Sequence, residues 1–372
     1  MLTGVTGSLG SFILRDLIQS QYIKKIYCLI RPNNGNNNDI AELTTRLKKS
    51  FHDRLLDVSL LESPKVQVLP FLLFDEPYLG WNQDTYNKLK NEVTIIQHCA
   101  WSMNVTQTVE FYERDMIRGL YNLLKFAYCE KNPIHIHFIS SNSATAAWKS
   151  SSVPEIPVPN DPAVSMPMGY SYSKYIVEYL FDYLSRNKNF PCIVERLGQI
   201  TGDTQNGVWD PQQPYPLMIL GGSRLGMLPD LATAAVTWLP VDYAAASIIE
   251  IMLKTKATRG VKQSVFHIVN PTSVTWLQVL RACQECGIQF DIVSPAKFVE
   301  EINKHPDNLA YQVKSFFEAR LKTMESDSNT LPVWETARTI QMTPVLAKAP
   351  GITADLLKKY LEYWSTLGFS IY

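Results

Sequence analysis

Short apolar runs alternate with amphipathic stretches along the first two hundred residues. In "SFILRDLIQS" the residues Ile13, Leu14, Leu17 and Ile18 recur at helical spacing, the mark of a helix with one buried face. "KKIYCLIRP" reads as a short buried strand from Ile26 to Ile30, "VQVLPFLL" (Val66 to Leu73) as a second, and "EVTIIQHCA" as a third. A helix is expected from about Thr106 to Cys129, then a strand in "IHIHFISS", a helix in "SYSKYIVEYLFDYLSR" and a strand in "CIVERLG". Strands that alternate with helices imply a parallel, doubly wound α/β sheet with helices on both faces. Two polar tracts interrupt the rhythm. "NNGNNND" (Asn33 to Asp39) reads as a surface loop, and "SSSVPEIPVPNDP" (Ser150 to Pro162) as an extended loop beside the active site. After Gly202 the alternation fades. "SVFHIVNP" (Ser264 to Pro271) looks like one returning strand, and the remainder to Tyr372 reads as a smaller, mostly helical lobe.

Composition narrows the class. The chain has 372 residues, 46% hydrophobic and 19% charged, with a formal net charge of zero. Its length is enough for a large core and two lobes. Zero net charge gives no reason to expect a nucleic acid or an anionic membrane as partner. No apolar run approaches the ~18–20 residues of a membrane span, and no signal peptide precedes the first motif. Six scattered cysteines fit reduced thiols in the cytoplasm better than a disulfide framework. Cys283 and Cys286 have CxxC spacing, but no second pair or nearby histidine accompanies them. They read as packed thiols, and no metal site is expected. His135 and His137 alternate along one strand with no third ligand spaced nearby.

The chemistry begins in "MLTGVTGSLGSFIL", with Gly4, Gly7 and Gly10. A glycine turn between a strand and a helix lets the backbone approach a pyrophosphate, and the helix N-terminus offers it N–H donors. Only Met1 and Leu2 precede Thr3, whereas a strand usually has about 5–6 residues. The expectation is that the numbering starts inside the first strand of a longer polypeptide. The second strand ends in Arg31. An acidic residue there would select NAD, and an arginine suits the 2′-phosphate of NADP. Arg46 on the next helix offers a second charge.

"MGYSYSKYIVEYL" places Tyr170 and Lys174 four residues apart on a helix, so both lie on one face. A tyrosine with pKa near ~10 is a poor acid–base group at neutral pH. An adjacent ammonium is expected to lower that pKa, so that Tyr170 gives a proton to an oxygen gaining charge during hydride transfer. "FISSNSAT" supplies hydroxyls at a strand's C-terminal end, where open α/β sheets bind ligands. Ser141 is the expected second donor, with Ser140 and Ser143 nearby.

In this order the motifs resemble an extended short-chain dehydrogenase/reductase. More narrowly, the chain is similar to the terminal thioester reductase domains of carboxylic acid reductases, aminoadipate reductases and fungal nonribosomal-synthetase-like adenylating enzymes. "LTGVTGSLGSFIL", "CLIRP", "IIQHCAWSMNV", "MIRGLYNLLKFA", "FISSNSAT", "GYSYSKYIVE", "ERLGQITGDTQNGVW" and "TWLPVDYAAASI" carry the likeness to about residue 250, and "FHIVNP" extends it to about 271. The resemblance implies a Rossmann-like domain over 1–200 and about 234–270 that binds NADPH. It implies a substrate-binding lobe over about 201–233 and 271–372. It assigns the pyrophosphate to Thr6, Gly7, Ser8 and Leu9 beside Gly4 and Gly10, and the 2′-phosphate to Arg31 and Arg46. Ser141, Tyr170 and Lys174 match the catalytic triad. Ala100, Gly198 and Gln199 fall where the family lines its cofactor cleft. The substrate it implies is an acyl thioester on the phosphopantetheine arm of a carrier domain upstream in the same enzyme, released as an aldehyde, with a second hydride transfer to the alcohol left open. The isolated domain is expected to be monomeric.

Two positions depart from the family pattern. Leu72, Leu73 and Phe74 stand where Gly-Asp-Leu is usual, so Leu73 is expected to wall the adenine pocket. Cys99-Ala100-Trp101 replaces the usual Asn-Ala-Ala or Asn-Ala-Trp. The rival readings are a fatty acyl-CoA reductase, which would need a long apolar channel, another extended-family ketone reductase or epimerase, and an NADP-sensing regulator without turnover. Tyr170 with Lys174 argues against the regulator.

Overall fold

The computed structural model describes residues 1–33, 39–72, 78–231, 235–257, 264–315, 318 and 331–369. By contacts the chain divides into two units. The first comprises Met1–Gly198, Asp242–Val269 and Pro332–Ala347, and the second Gln199–Val241, Asn270–Leu331 and Lys348–Tyr372.

The first unit is built on a seven-stranded parallel sheet. Its strands are β1 (Leu2–Thr3), β2 (Ile26–Ile30), β3 (Val66–Pro70), β4 (Ile95–His98), β5 (His135–Ser141), β7 (Cys192–Leu197) and β8 (Val265–Ile268), in the order β8-β7-β5-β4-β1-β2-β3. A two-residue strand, β6 (Ser152–Val153), lies outside it. Helices α1 (Ser8–Gln19), α2 (Ile40–His52), α3 (Gln83–Glu92), α4 (Val109–Tyr112), α5 (Arg118–Ala127), α6 (Gly169–Lys188) and α7 (Val241–Ala257) connect the strands. All five residues of β2 are buried, as the unbroken apolar run requires of a strand covered on both faces. β1 has only two residues, yet it pairs on both sides, Leu2 with Cys28 of β2 and with Gln97 of β4. The Met1 nitrogen donates to the Ile95 carbonyl at 2.8 Å.

Three sequence expectations change. The strand predicted over Val66 to Leu73 stops at Pro70, which cannot donate to a continuing ladder. Leu73 and Phe74 lie outside the described residues, as do residues 34–38 of the polar tract. The helix predicted from Thr106 to Cys129 is broken by a π turn at Glu113–Ile117. In a straight helix, eight residues at roughly 100° each would set Tyr112 and Leu120 about 80° apart. One extra residue in a wide turn returns both to the same face, and both are fully buried.

The third change concerns the unit boundary. Pro332–Ala347, predicted within the second lobe, belongs to the first unit. Its strand β9 (Val333–Trp334) pairs with β6, and its helix α8 (Ala337–Met342) offers backbone N–H groups to the buried carboxylate of Glu155 from Arg338 at 2.7 Å and Thr339 at 2.8 Å. The expected loop at Ser150 to Pro162 is therefore tied down by a segment far along the chain.

The second unit packs Pro214–Leu225, Trp276–Glu285, Pro295–Lys304 and Ala354–Thr366 as helices around one core. Trp209, Trp238, Trp276, Tyr360 and Trp364 are buried in it, and the Trp364 indole donates to the Trp209 carbonyl at 2.7 Å. Short strand pairs accompany the helices, such as Met227–Pro229 with Asp291–Val293. Cys283 is buried in the Trp276–Glu285 helix, and the Cys286 thiol donates to the Ala354 carbonyl.

Candidate active site

The glycine turn joins β1 to α1 over a very short distance. Gly4 has φ +71, a conformation that suits glycine, and its carbonyl accepts from Gly7 N at 2.9 Å. A Cβ on Gly10 would stand 2.1 Å from the Gly4 carbonyl oxygen, so helix and turn approach closely only because position 10 has no side chain. Gly7 caps α1 without a side-chain hydrogen bond, and no acidic residue occupies the first turn. The N–H groups and partial positive charge there are thus left for an anion. Thr6, Ser8 and Leu9 line the same turn, and the Thr6 carbonyl accepts from Ser50 on α2. Ser50 also bonds Ser11 at 2.8 Å, which ties α2 to the turn. A Cβ on Gly4 would meet Ala100 N at 3.0 Å, and the Thr3 hydroxyl accepts from the Cys99 and Ala100 N–H groups.

Arg31 and Arg46 come together past the end of β2. Arg46 donates to the Arg31 carbonyl at 2.8 Å, and the Arg31 side chain is exposed. The Arg46 guanidinium is thereby anchored beside the backbone of Arg31. The turn fits the pyrophosphate of a dinucleotide.

Across the sheet, β5 and α6 bring Ser141, Tyr170 and Lys174 together. Ser141 ends β5, and its hydroxyl accepts from Ser143 N at 3.2 Å and from the Ser143 hydroxyl at 3.0 Å. Its hydroxyl lies near enough to Tyr170 to pull the phenol's pKa down. Lys174 is buried at 1% exposure, and its Nζ donates to the Ile139 carbonyl at 2.7 Å. The predicted lowering of the Tyr170 pKa is corrected here. Burial pushes the phenol up to about 12, against the downward pull of Ser141. Lys174 Nζ is held by Ile139 and stands 5.7 Å from the Tyr170 ring centroid. Burial also drives the Lys174 pKa well down, against the upward pull of Glu178 and Cys99.

Three neighbours were not singled out for a role from the sequence. Trp101 donates from its indole to Ser173 at 3.2 Å. Tyr112 meets the Tyr170 ring edge-on at 6.0 Å. Asn142 Oδ1 is buried and takes no hydrogen bond among the described residues, which leaves an acceptor for a bound group. Only the position of Trp101 in a motif that departs from the family pattern marked any of them.

Gly198 closes the first unit, with its N–H on the Ile268 carbonyl at 3.1 Å, and Asn142 Nδ2 lies 3.5 Å from where its Cβ would stand. Gln199 opens the second unit and donates to the Ile200 carbonyl and to Gln213. His137 is fully buried between Glu195 at 3.0 Å and Thr255 at 3.3 Å. A cavity of about 310 Å³ at the N-terminal ends of β2 and β4, lined by Met1, Ile26 and Ile95, touches none of these residues. No helix among the described residues is long and apolar enough to cross a membrane.

A parallel doubly wound sheet, a glycine turn after β1 and a Ser–Tyr–Lys group formed by the end of β5 and α6 define a nicotinamide-dependent oxidoreductase of the extended short-chain dehydrogenase/reductase type. The family model described as "Male sterility protein" matches residues 2–248, and the chain belongs to that family. Among curated proteins it is 32% identical over 296 residues to "Adenylate-forming reductase Nps9" of Serpula lacrymans var. lacrymans, covering 77% of this chain and 25% of that protein. It is 29% identical over 388 residues to "Clavatol synthase claF" of Penicillium crustosum, covering 99% of this chain and 14% of that one. The chain thus spans a quarter or less of the length of these relatives. A solved structure of "the terminal R domain from the myxalamid PKS-NRPS biosynthetic pathway" superposes with a TM-score of 0.84 at 22% identity, covering 99% of this chain and 91% of that one.

Proposed function

We propose that the chain is an NADPH-dependent thioester reductase that releases a carrier-bound acyl group as an aldehyde. The observation that carries this reading is the grouping of Ser141 at the end of β5 with the buried Tyr170 and, one helical turn beyond it, the buried Lys174. The names of the relatives, an adenylate-forming reductase and a synthase, together with the terminal R domain, support an acyl chain held on a carrier as substrate.

The cofactor is NADPH in this reading, because Arg31 and Arg46 offer cations where an NAD enzyme offers a carboxylate. When bound, it supplies the hydride. Thr6, Gly7, Ser8 and Leu9 hold its pyrophosphate between Gly4 and Gly10, and Ala100, Gly198 and Gln199 border its path. Ser141 and Tyr170 donate hydrogen bonds to the thioester carbonyl oxygen, where negative charge develops. Tyr170 then gives that oxygen its phenolic proton. A phenol pushed up by burial stays protonated at neutral pH, which suits a donor. Lys174 faces the phenolate that results. Loss of the thiol from the thiohemiacetal leaves the aldehyde and returns the free carrier arm. The carrier belongs to the same longer polypeptide, the isolated domain is a monomer, and the setting is the cytoplasm.

The test is NADPH consumption with acyl-pantetheine thioesters, acyl-CoAs and free aldehydes. Turnover of the pantetheine thioesters with aldehyde as product is expected. Turnover of long-chain acyl-CoA alone would favour the fatty acyl-CoA reductase. Binding without any turnover would favour a sensing role.

A further inference from the structure

Lys174 has three N–H donors, and among the described residues only the Ile139 carbonyl accepts from it. The residue is 1% exposed, so bulk water barely reaches it. Two aromatic rings stand against its ammonium group. Nζ lies 4.4 Å from the Trp101 ring centroid and 4.4 Å from that of Phe138. The two rings meet edge to face at 5.1 Å, so they form two walls of one cradle. A ring face attracts a cation through its quadrupole, and more strongly once water is excluded.

Trp101 has a second attachment to the same helix. Its Nε1–H donates to Ser173 Oγ, and that hydroxyl donates in turn to the Tyr170 carbonyl at 2.6 Å. Behind it, Tyr112 stacks on the indole with planes 9° apart, and its hydroxyl is tied to the Asn104 carbonyl at 2.8 Å. The indole is therefore held from behind and grips the turn that carries both reacting residues.

We propose that Trp101 is a positioning residue. With Phe138 it holds Lys174 in its charged form against the Ile139 carbonyl, and through Ser173 it fixes the helical turn that aims Tyr170. The catalytic part of this statement rests on the reductase reading, and the charge-holding part does not. The titratable groups that face Lys174 are Tyr170 and Glu178 on its own helix, His98 on β4 and Cys99 just beyond it.

The test uses the full chain without cofactor, labelled with ¹⁵N-lysine, with the Lys174 ammonium signal assigned from its loss in Lys174→Met. Trp101→Phe keeps a ring face. Trp101→Leu keeps an apolar wall and removes the quadrupole. The titration midpoint of Lys174 is expected to stay near wild type in Trp101→Phe and to fall by about one pH unit or more in Trp101→Leu. Phe138→Leu should lower it in the same direction, and it decides the matter if Trp101→Leu does not fold. Midpoints equal to wild type in the folded leucine variants overturn the cradle. In turnover assays the alkaline limb of the pH–rate profile should move down with the midpoint while KM for the thioester holds. If wild type reduces no thioester, the reductase reading has failed, and the titration alone judges the cradle.

Discussion

The two ends of the candidate site recognise charge in opposite ways. The turn from Gly4 to Gly10 works with backbone. It has a helix N-terminus without a side-chain cap, and Arg31 nearby is exposed to solvent. The Ser141–Tyr170–Lys174 end works with side chains, of which Tyr170 and Lys174 are buried, and both have pKa values displaced by desolvation. Charges in water are screened and add modestly to affinity. Groups out of water interact strongly and gain most when charge shifts during reaction. The first end should therefore govern which cofactor binds and how tightly, and the second how fast the bound pair reacts.

Substitutions at each end test that division. Tyr170→Phe is expected to lower kcat by ~10²–10⁴-fold while the Kd for NADPH, measured by calorimetry, stays nearly unchanged. Residual turnover above about a tenth of wild type, with chemistry shown to be limiting in single-turnover experiments, would remove Tyr170 from the donor role. Ser141→Ala comes next, at ~10²–10³-fold in kcat. Ser143, whose hydroxyl already reaches Ser141, is expected to soften the loss, so Ser141→Ala/Ser143→Ala should be worse than either alone.

At the other end, Gly10→Ala forces a methyl toward the Gly4 carbonyl. It should cost about 1–3 kcal/mol in thermal or denaturant unfolding, as overpacking does, and weaken NADPH binding with it. Full stability with unchanged binding would show that the turn has room to give. The smallest effect is expected from Arg31→Ala. Wild type should prefer NADPH to NADH by at least about tenfold, ~1.4 kcal/mol, and the variant should approach parity. Equal affinities in wild type would move the 2′-phosphate away from Arg31.

Much of the first end was legible because glycines and a strand-ending arginine sit within a short span of sequence. Tyr170 and Lys174 were legible for the same reason, being one helical turn apart. What surrounds them was not. Trp101 meets Ser173 across 72 positions of chain, and Arg196 meets Glu178 in a buried pair across 18. Neither contact has a local pattern to betray it. The sign of the Tyr170 displacement was missed because spacing shows which residues are neighbours but not how dry their surroundings are. The π turn escaped because the stretch from Thr106 to Cys129 reads as one continuous helix unless its buried positions are tested for one phase across Glu113–Ile117.

The tie between Glu155 and Thr339 has a consequence for how the first unit is made. The carboxylate receives its partners from a residue 184 positions later, and β6 waits for Val333. Every pairing of the parallel sheet except that of β8 with β7 is complete once Leu197 has been synthesised. During synthesis the stretch around Glu155 must therefore stay unsatisfied while the whole intervening chain emerges. Expression of a fragment ending near residue 271 should leave that carboxylate without its backbone donors, and such a fragment should be a substrate for chaperones and proteases where the longer chain is not.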